Sequence, residues 1–559
     1  MSPICGIVSR NNKDVSSPIN KMMGILGNKR EDGAWVAAGG NVQRGQEETG
    51  QQAFLSMGQT SFRTREANME RPVFASGSKL SVLYEGNLYN RGELVAGKGS
   101  KAAPDSDPAA GIVACMLDEE YDGNLVKAMK LVASRLNGDY CLAASDGSQI
   151  MVMRDPAGVR PLFFGEKDDL VAFSSLKRAL WELGFRDVKP LRSGRYIVVD
   201  ANGISADESW THLGEGIESS LDDIDAAVEK YCALLKNAVE KRLDNVNRVG
   251  VLVSGGVDSC LTAKLVNDVA IDRDIEIVAY TAGVKGSTDI DYARGFARHF
   301  DIQHKVRYLT TEDVEYYMPV VINSVEERDM VQVEAGIGVY AALEMARKDG
   351  IRLIVSGQGP DELWGGYSWY PRVIASEGYE RLEQRMRDDL ARADIETLDR
   401  ENRLAIAHGL EKVFPYVDID VVKLALSVSP RIKINSEDDN TGKRPHREAA
   451  KKLGLPSQYA DRGKDAAQHG TGIHDTLEEI AGKHGFSPEL VERTGYSSDL
   501  ISKTKLASST RYGYQYVEKE LWETPGAVQF FIDTIAYKQG LLNEYERTNI
   551  EKFMDTSKG

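Results

Sequence analysis

The run Ser254-Gly255-Gly256-Val257-Asp258-Ser259 constrains this chain more than any other feature. It follows the apolar stretch 249–253 and precedes helical spacing at Leu261, Ala263 and Leu265, which reads as a buried strand, a glycine-rich turn and a helix. Adjacent glycines let backbone approach phosphate oxygens, the hydroxyls of Ser254 and Ser259 can donate, and the helix N-terminus adds the positive end of its dipole. A carboxylate in such a cradle repels bare phosphate, so Asp258 makes sense as a ligand of Mg²⁺ bridging the phosphates. Ser254, Gly255, Gly256 and Ser259 are therefore candidate nucleotide contacts, and Asp258 a candidate metal ligand. An ordinary strand-to-helix turn would explain the glycine pair alone, and the P-loop would require a Gly-Lys-Ser or Gly-Lys-Thr that is missing here.

Two more apolar runs, 275–280 and 351–355, are separated by helical spacing at Ile290, Ala293, Phe296, Ala297 and Phe300, and a helical pattern over 222–243 precedes the first run. Such alternation implies a parallel sheet covered on both faces. Before residue 200, short runs at 79–84, 149–153 and 195–199 lie between Gly, Asn and Asp turns, the pattern of a strand-rich domain. The expected organisation is a first domain at 1–205, a solvated linker at 206–221, a second domain at 222–480 and a helical extension at 481–559. No internal repeat or low-complexity block interrupts it.

The formal charge of -16 argues against nucleic acid or an anionic membrane surface as partner. No stretch approaches the roughly 20 apolar residues of a membrane helix, and no signal segment opens the sequence, so a cytoplasmic location is expected. The five cysteines, Cys5, Cys115, Cys141, Cys232 and Cys260, show neither zinc-site nor disulfide spacing.

The loop at 254–259 resembles the pyrophosphatase loop of enzymes that split ATP between its α and β phosphates. A second run, Ser356-Gly357-Gln358-Gly359-Pro360-Asp361-Glu362-Leu363 with Gly365-Gly366-Tyr367, resembles the second signature of the asparagine synthetase family. That likeness implies nucleotide contacts at Ser356 and Gly357, an adenine side lined by Leu252 and Ala282, and a magnesium shared between Asp361 and Asp258. The segment Asp461-Arg462-Gly463-Lys464 resembles the family's Arg-x-Lys, which makes Lys464 the candidate for stabilising charge at the α-phosphate. His408-Gly409-Leu410-Glu411, continuing to Asp418, resembles a further family segment. Two departures stand out: Gln358 replaces the usual Glu and Val413 the usual Arg, so proton acceptance falls to Glu411, to water or to the substrate.

Cys5-Gly6-Ile7-Val8, Arg154-Asp155-Pro156-Ala157-Gly158-Val159-Arg160-Pro161-Leu162 and Phe173-Ser174-Ser175 resemble class II glutamine amidotransferases, which implies an Ntn-type αββα sandwich. In that family the N-terminal cysteine attacks glutamine with its own α-amine as base. Here Met1-Ser2-Pro3-Ile4 precede Cys5, so the α-amine base exists only if these four residues are removed; Ser61 stands where the glutamine-binding Arg belongs with Arg63 two positions on, and Glu85-Gly86-Asn87 reverses the family's Asn-Gly-Glu. The candidate glutamine contacts are Arg63, Gly86, Asn87 and Asp107, with Cys5, Lys464 and Glu411 as catalytic candidates.

The resemblance implies an α+β and α/β multidomain fold and an AMP-forming ligase that uses ATP and Mg²⁺ to amidate aspartate with glutamine or ammonia. Its partners would be small molecules, and a homodimer is compatible with it. The alternatives are a ligase acting on another carboxylate over an inactive glutaminase domain, and a nucleotide-binding regulator without turnover.

Overall fold

The computed structural model describes residues 2–27, 33–38, 41–44, 53–61, 73–75, 77–96, 108–463, 470–496, 526–542 and 544–557. Two antiparallel sheets of seven and six strands form the first domain. The strand Ile4–Ser9 lies between Leu55–Ser61 and Leu170–Ser174 in the first sheet, and Gly138–Ser145 lies between Leu80–Leu88 and Gln149–Arg154 in the second. Side chains alternate across each strand. In Gly138–Ser145, Cys141 and Ala143 face the first sheet with Ile4, Val8 and Phe173, whereas Tyr140, Leu142 and Ala144 pack beneath the helices Pro108–Glu120 and Leu125–Ala133. The helix Ser16–Gly27 covers the other outer face. The result is the four-layer helix–sheet–sheet–helix sandwich that the amidotransferase likeness implies.

The second domain is built on a five-stranded, wholly parallel sheet ordered Gln303–Leu309, Glu276–Val284, Arg248–Leu252, Leu353–Val355 and Glu411–Val413. It is buried on both faces, which explains the nearly continuous apolar runs. Val249, Val251, Leu353 and Val355 pack on one side, and Tyr280, Ile351 and Ile354 on the other. The carboxyl ends of Arg248–Leu252 and Leu353–Val355 are neighbours in this order, so the loops that follow them are brought side by side.

The stretch 206–221, expected as solvated linker, begins inside the strand Gly203–Ser209, paired along Arg195–Asp200. Its polar composition hides real anchors. Trp210 Nε1 donates to the Arg154 carbonyl at 2.9 Å, and Leu221 bridges to Val428 before Asp223 caps the helix Ile224–Arg242. The expected break at 480 falls within the helix Ile473–Lys483, whose Leu477 and Ile480 join the main core. Among the described residues no helix is long and apolar enough to cross a membrane.

The helix Gly526–Lys538 docks through a fully buried carboxylate. Asp533 accepts from Arg328 Nη1 at 2.7 Å and from Tyr496 Oη at 2.5 Å, while Gln529 bonds the Arg328 carbonyl and the Met330 amide at 2.8 Å each. Stripping one partner from such a buried pair leaves an uncompensated charge and costs about 3–5 kcal/mol. Asp533→Ala is therefore expected to release this helix. Limited proteolysis should cut around 526–557 while the parallel-sheet core survives; a cleavage pattern identical to that of the unaltered chain would refute this docking.

Candidate active site

The turn after Arg248–Leu252 is shaped by its own hydroxyls. Ser254 N–H donates to Ser259 Oγ at 3.1 Å, and Ser259 Oγ donates to the Gly256 carbonyl at 3.1 Å. Gly255 has φ +81°, and a Cβ there would lie 2.4 Å from Tyr292 Cβ, so the position accepts only glycine. Gly256 is the N-cap of the helix Val257–Arg273, so the free N–H groups of the first turn point out of the loop. Arg462 Nη1 holds the loop from outside by donating to the Ser254 carbonyl at 3.2 Å, and its Nη2 pairs with Asp289 at 2.9 Å.

Behind the loop, one ammonium joins both candidate metal carboxylates. Lys443 Nζ lies 2.7 Å from Asp258 Oδ2 and 2.9 Å from Asp361 Oδ1, and His446 Nε2 lies 3.1 Å from Asp258 Oδ1. Burial alone would protonate the Asp258 carboxyl, but Lys443 and His446 reverse this and hold it well below the usual carboxylate range. Burial likewise opposes the Lys443 charge, and the two aspartates overcome it and raise its pKa. Gly366 makes the space, because a Cβ there would sit 2.0 Å from both Asp361 Oδ1 and Lys443 Cε. The two carboxylates converge on the Lys443 ammonium, so the position between them already suits a cation, and hard carboxylate oxygens next to a phosphate cradle are the donor type that Mg²⁺ takes.

A cavity of about 580 Å³ opens at these carboxyl ends, the usual ligand position in open α/β sheets. Leu252, Ser254, Gly256, Asp258, Ser259 and Ala282 line it, with Ser356, Gly357, Gln358 and Asp361 from the second loop. Gly255 does not, because it turns toward Tyr292. Arg392, Glu396, Thr397, Arg400 and Glu401 also line the cavity. Glu396 stands apart chemically: burial, against the pull of Arg392 and with the push of Asp389, raises its carboxyl to about 8.

Lys464 lies outside the described residues. Glu411 does not line the cavity. It is the first residue of its strand, at the amino end of the parallel sheet and so opposite the edge where ligands bind. There it accepts from Asn87 Nδ2 at 2.7 Å, with Arg160 Nη2 3.5 Å away, which makes it a domain-contact residue and not the expected base. Lys443, His446 and Glu396 escaped the sequence reading. Only Lys443 left a trace there, as a Gly-Lys pair directly ahead of the proline-started helix Arg444–Lys452.

In the first domain, Cys5 is sealed in the strand Ile4–Ser9 with no exposed surface, its Sγ 3.7 Å from Met23 Sδ, and burial pushes the thiol pKa far up. Ser2, Pro3 and Ile4 are buried ahead of it. Ser2 Oγ meets Ser61 Oγ at 3.1 Å, the Pro3 carbonyl accepts from Thr60 N–H at 3.0 Å, and Ile4 N–H donates to Ser175 Oγ at 2.9 Å. Cys5 thus has a peptide nitrogen where the glutaminase reaction needs an amine. Glu85 is also fully buried; it accepts from Ser175 Oγ at 2.6 Å, and burial raises its pKa. Of the expected glutamine contacts, Asn87 is committed to Glu411, and Gly86 lies against the Asp139 carbonyl, which a Cβ would meet at 1.9 Å. Arg63 and Asp107 lie outside the described residues.

Both domains of the chain have known relatives. The family model described as asparagine synthase matches residues 230–377 and 372–525, and the glutamine amidotransferase domain model matches 60–182. A protein of Methanocaldococcus jannaschii, whose asparagine synthetase (glutamine-hydrolyzing) name is itself provisional, is 31% identical over 66% of this chain and 74% of its own length. The bovine asparagine synthetase (glutamine-hydrolyzing) is 29% identical over 53% of this chain and 56% of its own. The B. subtilis glutamine phosphoribosylpyrophosphate amidotransferase structure covers 54% of this chain and 65% of its own at 16% identity, with a TM-score of 0.30. From the family-model match and the archaeal relative, the chain belongs to the asparagine synthase family of ATP-dependent carbon–nitrogen ligases, with a class II glutamine amidotransferase domain ahead of its synthetase domain.

Proposed function

We propose that the chain forms asparagine from aspartate, ammonia and ATP through β-aspartyl-AMP, with its first domain serving as scaffold and not as glutaminase. The observation that carries this is the phosphate loop set beside the Asp258–Lys443–Asp361 group in one cavity. The aspartate side-chain carboxylate attacks the α-phosphorus and pyrophosphate leaves; ammonia then attacks the acyl carbon, and AMP leaves with the carboxylate's former oxygen. The N–H groups ahead of helix Val257–Arg273 and the hydroxyls of Ser254 and Ser259 bind the departing pyrophosphate. Lys443, beside the loop, offsets part of its growing charge. Asp258 and Asp361 would hold Mg²⁺, which when bound neutralises phosphate charge and orients the β and γ phosphates. Ammonia is favoured over glutamine by Glu85, buried where the resemblance places an oxyanion donor, and, for as long as residues 1–4 remain attached, by the peptide bond at Cys5.

A second reading, the same adenylation on a carboxylate other than aspartate, is favoured by Gln358. It lines the cavity where the family resemblance places a Glu.

Three outcomes follow for pyrophosphate release with ATP, Mg²⁺ and aspartate. Asp258→Asn should reduce it to background, and retained release would overturn the site assignment. Lys443→Ala should lower kcat by on the order of 10²–10³, the usual loss when one preorganised charge-stabilising group is removed. Cys5→Ala should leave ammonium-driven turnover unchanged, and glutamine should support no more turnover in the unaltered chain than in the variant. Glutamine-driven turnover lost on that substitution would restore the glutaminase.

A further inference from the structure

Where the helix Tyr370–Ala393 meets Asp399–His408, the chain passes through a five-residue π-helical turn, Asp394–Leu398. Such turns cost helix geometry and recur at functional positions. Its residues divide between two surroundings. Glu396 and Thr397 line the synthetase cavity, as do Arg392 just before and Arg400 just after. Asp394, by contrast, is 1% exposed and is held entirely by the first domain. Arg192 Nε and Nη2 each donate to it at 3.0 Å, a two-pronged contact, and Ser193 N–H adds a third bond at 2.8 Å. Arg192 Nη2 also reaches the Ala391 carbonyl at 2.7 Å.

The motif Arg154-Asp155-Pro156-Ala157-Gly158-Val159 supplies the rest of the grip. Arg154 Nη2, fully buried, donates to Asp399 Oδ1 at 3.1 Å, and the Val159 carbonyl accepts from Asn402 Nδ2 at 2.7 Å. Gly158 packs so closely that a Cβ would lie 2.8 Å from Asp394 Cβ. The turn is therefore gripped from the first domain on both sides of the two residues it projects into the cavity. On the synthetase side Gln332 Nε2 donates to the Glu396 carbonyl at 2.7 Å and Arg400 Nη1 donates to Gln332 Oε1 at 3.3 Å, so the gripped turn is tied to Gln332, itself a residue of the cavity wall.

We propose that Arg192, with Ser193 and Gly158, is a positioning clamp through which the first domain fixes the π-turn and with it the cavity wall made by Arg392, Glu396, Thr397 and Arg400. This rests on the ligase reading above and gives a domain without glutaminase chemistry a part in the reaction. Arg192 touches neither nucleotide loop, so its effect falls on the acceptor and not on ATP.

The test uses the full chain with Arg192→Ala and Arg192→Lys, the arginine being about one-third exposed and removable without opening the core. Hydrogen exchange should quicken at residues 394–401 in the alanine variant and stay unchanged at 254–262. Equilibrium binding of MgATP should be unaffected, while kcat/KM for aspartate with ammonium falls about 10–100-fold, the scale expected when reacting groups shift by up to an ångström. The lysine variant, which keeps the charge without the two-pronged geometry, should recover part of the loss. Unaltered exchange at 394–401, or MgATP affinity falling in step with aspartate use, would overturn the clamp. Should the unaltered chain release no pyrophosphate with aspartate, the ligase reading fails on its own, and the clamp is then decided by the exchange measurement.

Discussion

The ammonium of Lys443 between Asp258 and Asp361 is the interaction on which the site depends. Burial works against the charge on Asp258, and Lys443 with His446 more than offsets it, so the carboxylate keeps its value to a metal–nucleotide substrate. The two aspartates in turn hold the Lys443 pKa up against its own burial. Other features of the site serve this triad. Gly366 leaves room for it, the Tyr416 hydroxyl donates to the Asp258 carbonyl at 2.9 Å, and Tyr231 reaches His446 Nδ1 at 2.8 Å so that the ring faces Asp258. The parallel sheet contributes by ordering its strands so that the loop carrying Asp258 and the loop carrying Asp361 emerge from adjacent carboxyl ends.

The contact between the two domains is unusually charged for a buried surface. Arg154 with Asp399, Arg160 with Glu411, Arg192 with Asp394 and Lys177 with Glu327 all cross it. Buried ion pairs add little stability over well-packed apolar contacts, but they penalise any misregistered docking because each broken pair strands a charge. An interface of this kind fixes relative orientation more than it adds affinity. That suits a first domain that, on the proposal above, holds a segment of the neighbouring active site.

What the sequence revealed followed from local rules. Apolar runs ending in glycine marked the buried strands, and the hydroxyl–glycine–carboxylate order at 254–259 marked the phosphate loop, because both depend on neighbours in the chain. The features it hid depend on contacts distant in sequence. Lys443 looks like any surface lysine until folding places it against residues 185 positions away. Glu411 sits in a motif that reads as catalytic, yet its strand register sets it at the wrong end of the sheet. Residues 206–221 stay outside the core, as their composition implies, and only their anchors, Trp210 and Leu221, depend on partners found in the assembled fold. Glu396 gave no signal at all, since a π-turn has no composition rule of its own.

The central claim is that a carboxylate is activated as an acyl-adenylate, and oxygen transfer tests it directly. Aspartate carrying ¹⁸O in its side-chain carboxylate is incubated with ATP, Mg²⁺ and ammonium, and the nucleotide product is examined by mass spectrometry. One labelled oxygen in AMP, with unlabelled pyrophosphate, is the result predicted. Label in inorganic phosphate with ADP as the nucleotide product would mean an acyl phosphate and would contradict the account.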